Sequence, residues 1–361
     1  MGKPAIAARP EDVTPAWLTS ALRAAGAIGE ASVVQIASRP VGNGLVGDSV
    51  RYALTYDHPT PGAPQSLVAK FAAADPQSRA SGANLGLYLR EVSFYRQLAA
   101  TVAIRTPRTF YAELNEADHD FTLLFEDLGP ARGGDQLSGC SLQDAEVAMR
   151  QAAALHGPRW DDPALLDLDF LTTSARIFPL ILAALPGVIA AYHERYDGVL
   201  EPEFMALVDA LPNAMPSFTA GPTGPLTVQH GDFRLDNIMF EIKGGAEPMG
   251  TLDWQTVACG PGLTDVAYFL SAGLPPAVRR AHEAELVRLY HETLLGYGVK
   301  DYDWEACWRD YRRYALHGVF MGVFSAIAVE RTERGDALFL TMTRGACAQC
   351  LDHRTYGFWD A

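Results

Sequence analysis

A chain of 361 residues, 48% hydrophobic and 20% charged, exceeds what one simple core organises and leaves no long polar stretch for disorder. Its net charge of −14, without any run of Lys and Arg, argues against nucleic-acid and anionic-membrane partners, whose affinity rests on basic clusters. Five cysteines make no disulfide framework, and the first twelve residues carry no apolar leader core. The longest apolar stretches, 177–192 and 318–329, are expected to fall short of a bilayer span of ~20 residues. The expectation is a cytoplasmic protein with no membrane or nucleic-acid partner; the oligomeric state is not legible.

Thr14-Pro15 reads as an N-cap with proline at the first helical position, opening a helix that ends near Gly26. Segments 33–40, 49–56 and 66–71 alternate like strands, with Pro59, Pro61, Gly62 and Pro64 marking the turn before the third. Leu85, Tyr88, Leu89, Val92 and Tyr95 recur at helical spacing and predict a helix over 85–98. Two further strands are expected at 109–114 and 121–125. After Asp127-Leu128-Gly129-Pro130 helices dominate, at 142–155, 180–195, 203–211 and several from Thr264 onward. Strand-like runs at 226–229, 238–242 and 249–252 interrupt them. The layout predicts an α+β chain: a small β-rich lobe over 1–127, a hinge over 125–129, and a larger mainly helical lobe over 128–361.

The sharpest motif is His230-Gly231-Asp232-Phe233-Arg234-Leu235-Asp236-Asn237. A carboxylate followed five residues later by an amide, in a loop between apolar strands, suits phosphoryl transfer: Asp232 orients a hydroxyl proton and Asn237 offers an oxygen to Mg²⁺. Asp253, in Thr251-Leu252-Asp253-Trp254-Gln255, ends an apolar strand and is expected to be the second, harder magnesium ligand. Gly42-Asn43-Gly44-Leu45-Val46-Gly47 fits a glycine-rich phosphate loop, with a plain glycine turn as the alternative. Because a strand-like run rather than a helix follows, and 62–67 holds no acid, a dinucleotide fold is disfavoured and Gly42, Gly44 and Gly47 are assigned to a lid. Lys70 lies inside the apolar strand Leu67-Val68-Ala69-Lys70-Phe71, where its charge needs an anion. ATP phosphates would serve, with Glu91 on the next helix holding the side chain; an edge-strand lysine facing solvent is the alternative. Glu126, in the hinge, joins the nucleotide set.

With these residues in hand, the chain resembles the aminoglycoside phosphotransferase and choline kinase superfamily, relatives of protein kinases. His230–Phe240 with Asp253-Trp254-Gln255, and Leu155-His156-Gly157, are most similar to its ecdysteroid-kinase-like and bacterial phosphotransferase branches. The resemblance runs from about Val41 to Leu270. It implies a protein-kinase-like two-lobed fold, Asp232 as catalytic base, Asn237 and Asp253 as magnesium ligands, Lys70 on the α/β-phosphates with Glu91 as its partner, and His230 bracing the loop. It also implies ATP and Mg²⁺ as cofactors and a small hydroxylated molecule as acceptor.

Gly231 stands where protein kinases carry an arginine, and only eleven residues separate Asp253 from Asp265, which is expected to cap a helix over 266–271. Little chain remains for a peptide-binding segment, so protein substrates are disfavoured. The rival reading is a nucleotide-binding pseudokinase acting through a protein partner; the intact Lys70, Asp232, Asn237 and Asp253 argue against it. His156 reads as structural.

Two features bear on the acceptor. From Trp160 to Pro222 there are nine acidic residues against Arg176 and Arg195, a net of −7, which suits a cationic acceptor or a solvated face. Tyr302, Trp304, Trp308, Tyr311, Tyr314, Phe320, Met321 and Phe324 suit either core packing or a pocket for an apolar alcohol. The uncharged alcohol is favoured, with Trp308 as the test residue. Cys347 and Cys350 read as small apolar residues on one helix face, or as a metal pair lacking partners.

Overall fold

The computed structural model describes residues 2–42, 46–219, 224–329 and 331–359, with 173–176 described by backbone alone. The chain forms two compact units, each discontinuous in sequence. The first combines Met1–Ala100, Thr106–Gly129 and Leu252–Thr256; the second combines Thr101–Arg105, Pro130–Thr251 and Val257–Ala361. A single cut at 127/128 therefore does not describe them, because the segment carrying Asp253 packs with the N-terminal unit.

In the first unit, α1 (Pro15–Ala24) is capped by the Thr14 side chain, which accepts the Trp17 N–H, and Gly26 follows in a left-handed turn. Strands β1 (Val33–Pro40), β2 (Gly47–Tyr56) and β3 (Ser66–Ala72) precede two helices, α2 (Pro76–Asn84) and α3 (Leu87–Ser93). Strands β4 (Thr109–Leu114) and β5 (Phe121–Glu126) complete an antiparallel sheet in the order β1-β2-β3-β5-β4. The helix expected over 85–98 is broken at its start, since Gly86 takes a left-handed φ of 66° and begins α3 afresh. A wide π-type turn, Phe94–Leu98, then continues it. The preceding α2 went unread, although Asp75-Pro76 is a cap followed by a first-turn proline and the Asp75 side chain accepts the Ser78 N–H.

Each face of the sheet has its own core. Leu67, Ala69, Phe71, Tyr52 and Leu124 pack with α1 residues Leu18, Ala21 and Leu22. On the other face Leu123, Phe121 and Phe125 pack with Tyr88 and Val92 of α3. Strand alternation thus decides which residues meet α3, and Lys70, between Ala69 and Phe71, is among them.

In the second unit, β6 (Arg132–Gly133) leads to α4 (Leu142–His156), which opens with a reciprocal Ser141–Asp144 capping box. Two helices follow, α5 (Asp169–Tyr196) and α6 (Pro202–Thr219). Both outrun the expected limits and both contain two prolines, Pro179 and Pro186 in α5 and Pro212 and Pro216 in α6. Buried Leu185, Ile189, Tyr192 and Tyr196 recur at helical spacing around and beyond Pro186, so packing there offsets the cost of that proline. At 28 residues, α5 corrects the expectation that its apolar stretch falls short of a bilayer: it is the one described helix long and apolar enough, by length and composition, to cross a membrane, and only 7% of its most apolar stretch is buried.

Strand β7 (Thr227–Gln229) pairs with β10 (Ala258–Gly260), while β8 (Ile238–Glu241) lies between β6 and β9 (Glu247–Thr251), with a single turn, α7 (Ile242–Gly245), joining β8 to β9. The remaining helices are α8 (Leu263–Gly273), α9 (Pro276–Gly296), α10 (Trp304–Tyr314), α11 (Leu316–Ala328) and α12 (Glu333–His353). Every residue of α8 is buried. The loop 230–237 therefore sits between two small ladders and beside a wholly buried helix.

Candidate active site

In the first unit, the Lys70 ammonium donates to Glu91 Oε1 at 2.9 Å and lies 3.4 Å from Asp253 Oδ1. Burial alone would lower the Lys70 pKa, but Asp253 and Glu91 outweigh it and hold the ammonium above its ordinary value. Glu91 is 1% exposed, so the pair is a buried one whose charges compensate each other. The solvent-facing alternative for Lys70 is therefore wrong.

Asp253 takes a φ of 61°, a left-handed conformation costly for most side chains and tolerated by Asp. Trp254 is fully buried and stacks on Phe94 with ring centroids 3.8 Å apart and planes 6° apart. Since Phe94 directly follows the helix carrying Glu91, this one stack fixes Asp253 beside the Lys70–Glu91 pair.

Gly47 opens β2 opposite Ala72, and a Cβ there would lie 3.0 Å from the Phe71 carbonyl and 3.2 Å from Lys70 Cε. The bare backbone keeps room at the lysine. Gly42 has a φ of 77°, and Gly44 lies outside the described residues. The strands on either side of the glycine segment pair antiparallel, with Pro40 opposite Val50. Glu126 ends β5, where its side chain accepts the Arg108 backbone N–H at 3.0 Å. Next to it, Asp127 is bound by Arg51 and Ser66 and holds the Gly129 N–H at 3.0 Å.

In the second unit, both oxygens of Asp232 are held. Tyr268 O–H donates to Oδ1 at 3.1 Å, Asn237 Nδ2 donates to Oδ2 at 2.9 Å, and Arg234 Nε bridges the two at 3.0 and 3.1 Å. Asn237 Nδ2 also reaches the Asp232 carbonyl at 2.8 Å, so its amide oxygen is the end suited to a cation. Arg234 continues to Asp236 at 2.6 Å; burial opposes its charge, and the two carboxylates more than restore it. Arg234 and Tyr268 were not singled out from sequence, though Arg234 stands inside the motif.

The loop's backbone is braced from below. Asp265 is fully buried and accepts the His230 N–H at 2.7 Å and the Gly231 N–H at 2.9 Å. The expectation that Asp265 caps a helix is wrong: α8 begins at Leu263 without a side-chain cap, and Asp265 turns inward to the loop. Burial raises the cost of its charge, yet the His156 ring and the loop N–H groups keep its carboxyl below the ordinary range. His230 Nδ1 accepts the Asp232 N–H at 3.3 Å, as a bracing histidine would. His317 Nε2 lies 3.0 Å from the Gly231 carbonyl, and burial lowers its pKa and keeps the ring neutral. Buried Gln136 donates its backbone N–H to Asp236 at 3.0 Å and accepts the Leu235 N–H at 3.1 Å.

The aromatic run splits. Tyr302, Tyr311, Tyr314 and Phe320 are buried core residues, and Trp308 stacks between Trp304 and Tyr311 with His353 at its edge. Trp308 is thus packing in the α10–α12 region, and α11 is the helix that reaches the loop through His317. Three of the nine acids in the acidic segment have close basic neighbours: Asp162 lies 2.5 Å from Arg159, Glu201 2.9 Å from Arg344 and Asp209 2.7 Å from His193. Cys347 and Cys350 are buried thiols on α12, pushed above their usual range by burial, to about 12 for Cys350. Among the described residues no group of three or more His, Cys, Asp or Glu is placed to hold a metal on its own.

Comparison with known families decides the assignment. The model of the phosphotransferase enzyme family matches residues 48–312, well over half of the chain. The protein belongs to that family. No curated protein sequence matches it. Among solved structures it is similar to an aminoglycoside 2'-phosphotransferase-IIIa in complex with GDP, at 16% identity and a TM-score of 0.52, over 87% of this chain and 94% of that one. An ethanolamine kinase of Plasmodium vivax is similar at 10% identity and a TM-score of 0.52, over 94% of this chain and 89% of that one. A choline kinase from Cryptosporidium parvum Iowa II is similar at 9% identity and a TM-score of 0.50, over 90% and 89%. These likenesses show the fold: an antiparallel β-sheet lobe and a helical lobe of the kinase-like kind. Within this family of phosphotransferases the matched span includes Lys70, Glu91, Asp232, Asn237 and Asp253.

Proposed function

We propose that this phosphotransferase moves the γ-phosphoryl group of MgATP to a hydroxyl group of a small organic acceptor. The observation that carries the reading is the Asp232 carboxylate, fixed from both oxygens inside a loop whose backbone is tied to buried Asp265. Lys70, held by Glu91, would contact the nucleotide phosphates, with Gly42, Gly44, Gly47 and Glu126 completing the nucleotide set. The Asp253 carboxylate and the Asn237 amide oxygen are hard oxygen donors of the kind Mg²⁺ takes, and a small protein donor set fits an ion that keeps phosphate and water ligands. Bound magnesium would supply neutralisation of the phosphate oxygens. Asp232 accepts the acceptor's hydroxyl proton as the new O–P bond forms and the bond to ADP breaks. The tight positioning of that carboxylate is where this chain contributes most, since loose transition states give a protein little else to do.

For the acceptor, an uncharged or weakly polar alcohol is the reading we favour. Carboxylates around the loop are already compensated: Asp236 by Arg234 at 2.6 Å, and Asp135 by Arg334 at 3.0 Å. From neutral His317, one and two turns along α11 lead to half-buried Met321 and Phe324, the latter stacked on Phe320 at 5.5 Å. A cationic acceptor would lose hydration there beside carboxylates that already have arginine partners. The test is an ATP-consumption screen across neutral and amine-bearing alcohols, repeated as salt shrinks the Debye length from ~10 Å to ~3 Å. A best acceptor that is neutral, with a Michaelis constant indifferent to salt, is expected. A cationic best acceptor whose Michaelis constant climbs with salt would overturn the choice.

A further inference from the structure

We infer that the exposed face of α5 is an interface between copies of this chain, closed by a two-fold axis that sets the two helices antiparallel. The stretch 177–192 holds no Asp, Glu, Lys or Arg, in a chain whose net charge is −14. Its inner side is anchored by buried Leu185, Ile189, Tyr192 and Tyr196. On its outer side Leu180, Ala183, Gly187 and Ala190 are all exposed, Leu180 to 71%. Their 3-4-3 spacing puts them on one stripe, the seam spacing of paired helices. An apolar strip of this length left open to water marks a contact surface.

Gly187 is an independent pointer to the same surface. It sits inside a helix, where glycine weakens the backbone, and a Cβ there would meet no described atom within 4 Å. The packing of the described residues therefore makes no use of its bare backbone. A second helix would, because glycine lets another backbone approach closely. The stripe is also its own complement. Reversed about the level of Leu185, Leu180 meets Ala190 of the second copy and Ala183 meets Gly187, so the one large side chain faces a small one at each end. An isologous contact requires that self-complementarity.

Area and charge favour a second copy as the occupant. The outward half of a helix ~10–12 Å across, over about 18 residues, presents on the order of 500 Å². Counted from both copies, that reaches the ~1,000 Å² a biological interface needs, at the weak end of the range. A bilayer surface fits worse, since exposed Asp167, Asp169, Glu194 and Asp197 stand at the two ends of α5, where a helix lying on lipid carries basic residues. Spanning a bilayer would strip the inner face of α5 from α6 and α11.

The experiment is sedimentation equilibrium of the full chain from about 1 to about 200 μM, the range of a weak interface. Wild type is expected to move from the mass of one chain to that of two. Leu180→Glu puts a charge on the seam and Gly187→Leu fills its closest approach, and each should weaken association about 30-fold or more. Both positions face solvent in the single chain, so the variants stay folded; if Leu180→Glu does not, Gly187→Leu carries the test. Oxidative cross-linking reads the orientation. Across the two-fold axis the two copies of position 184 lie ~3 Å apart along the helix and those of position 190 ~15 Å apart. Ala184→Cys should therefore cross-link above the wild-type background and Ala190→Cys should not. A one-chain mass at every wild-type concentration overturns the inference, as does association that the folded variants leave unchanged, or a ladder of masses that does not close at two. Ala184→Cys at the wild-type background, or no better than Ala190→Cys, overturns the antiparallel pairing. A one-chain species that co-sediments with neutral phosphatidylcholine vesicles, and loses them in Leu180→Glu or Gly187→Leu, gives the face to lipid and overturns the inference too.

Discussion

The two units place their charged residues by different means. In the first, Lys70 reaches Glu91 because strand alternation turns it to the face that α3 covers, and Asp253 joins them through a single stack of Trp254 on Phe94. In the second, the residues from Asp232 to Asn237 are adjacent in the chain, but what holds them comes from far away: Gln136, His156, Asp265, Tyr268 and His317. One unit positions a cation with periodicity and a carboxylate; the other positions a carboxylate with a buried polar network. Periodicity tolerates replacement of neighbours, whereas a buried network fails when one member leaves an acceptor or donor unsatisfied.

That contrast can be broken by mutation, and the largest effect is expected at the buried pair. Lys70→Ala leaves Glu91 as an unpaired buried carboxylate and should cost about 3 kcal/mol of stability, read by denaturant unfolding at neutral pH. Lys70→Met with Glu91→Leu should recover most of that stability while MgATP no longer raises the melting temperature. Equal destabilisation in the single and double variants would show that the pair's cost is not the unpaired charge.

A smaller effect, of about 1–3 kcal/mol, is expected for Asp265→Asn, which weakens the bracing of the His230 and Gly231 N–H groups. The native Asp265 carboxyl is held below its unfolded value, so its contribution is present above the unfolded pKa of ~3.9 and is lost as pH falls through the depressed native one. The gap in melting temperature between wild type and Asp265→Asn should therefore be wide at pH 7 and close below about pH 4. A gap that widens in acid would contradict the depressed native value.

The smallest effect belongs to the exposed acidic segment. Glu201→Gln or Arg344→Gln breaks a pair whose side chains are 42% and 39% exposed, and should change stability by less than about 1 kcal/mol. A loss as large as that of Lys70→Ala would mean the acidic run is organised, not merely solvated.

The same contrast explains what could be read in advance. The strands at 33–40 and 109–114 and the start of α1 carry alternation, cap and proline signals that act locally, and they stand where expected. Lys70 and Glu91 were legible because an unpartnered lysine in an apolar strand states its own need. Asp265 was misread as a cap because an acid in the first turn of a helix has the same sequence signature whether it caps or turns inward. Tyr268, Gln136 and the bonding of His156 depend on which helices pack around the loop, and no local signal announces that. The extent of α5 was missed because two prolines ordinarily end a helix, and here the packing of Leu185, Ile189 and Tyr192 supports it around Pro186.

The direction of the γ-phosphoryl group of MgATP to an acceptor hydroxyl by Asp232 is the proposal on which the other roles depend. It is tested most directly by mass analysis of the acceptor after incubation with MgATP, in wild type and Asp232→Asn, with nucleotide affinity measured on the same samples. A phosphorylated acceptor is expected in wild type, with a rate lower by about 10²- to 10⁴-fold in Asp232→Asn and MgATP affinity retained. Wild-type rates of phosphorylated product from Asp232→Asn would contradict it.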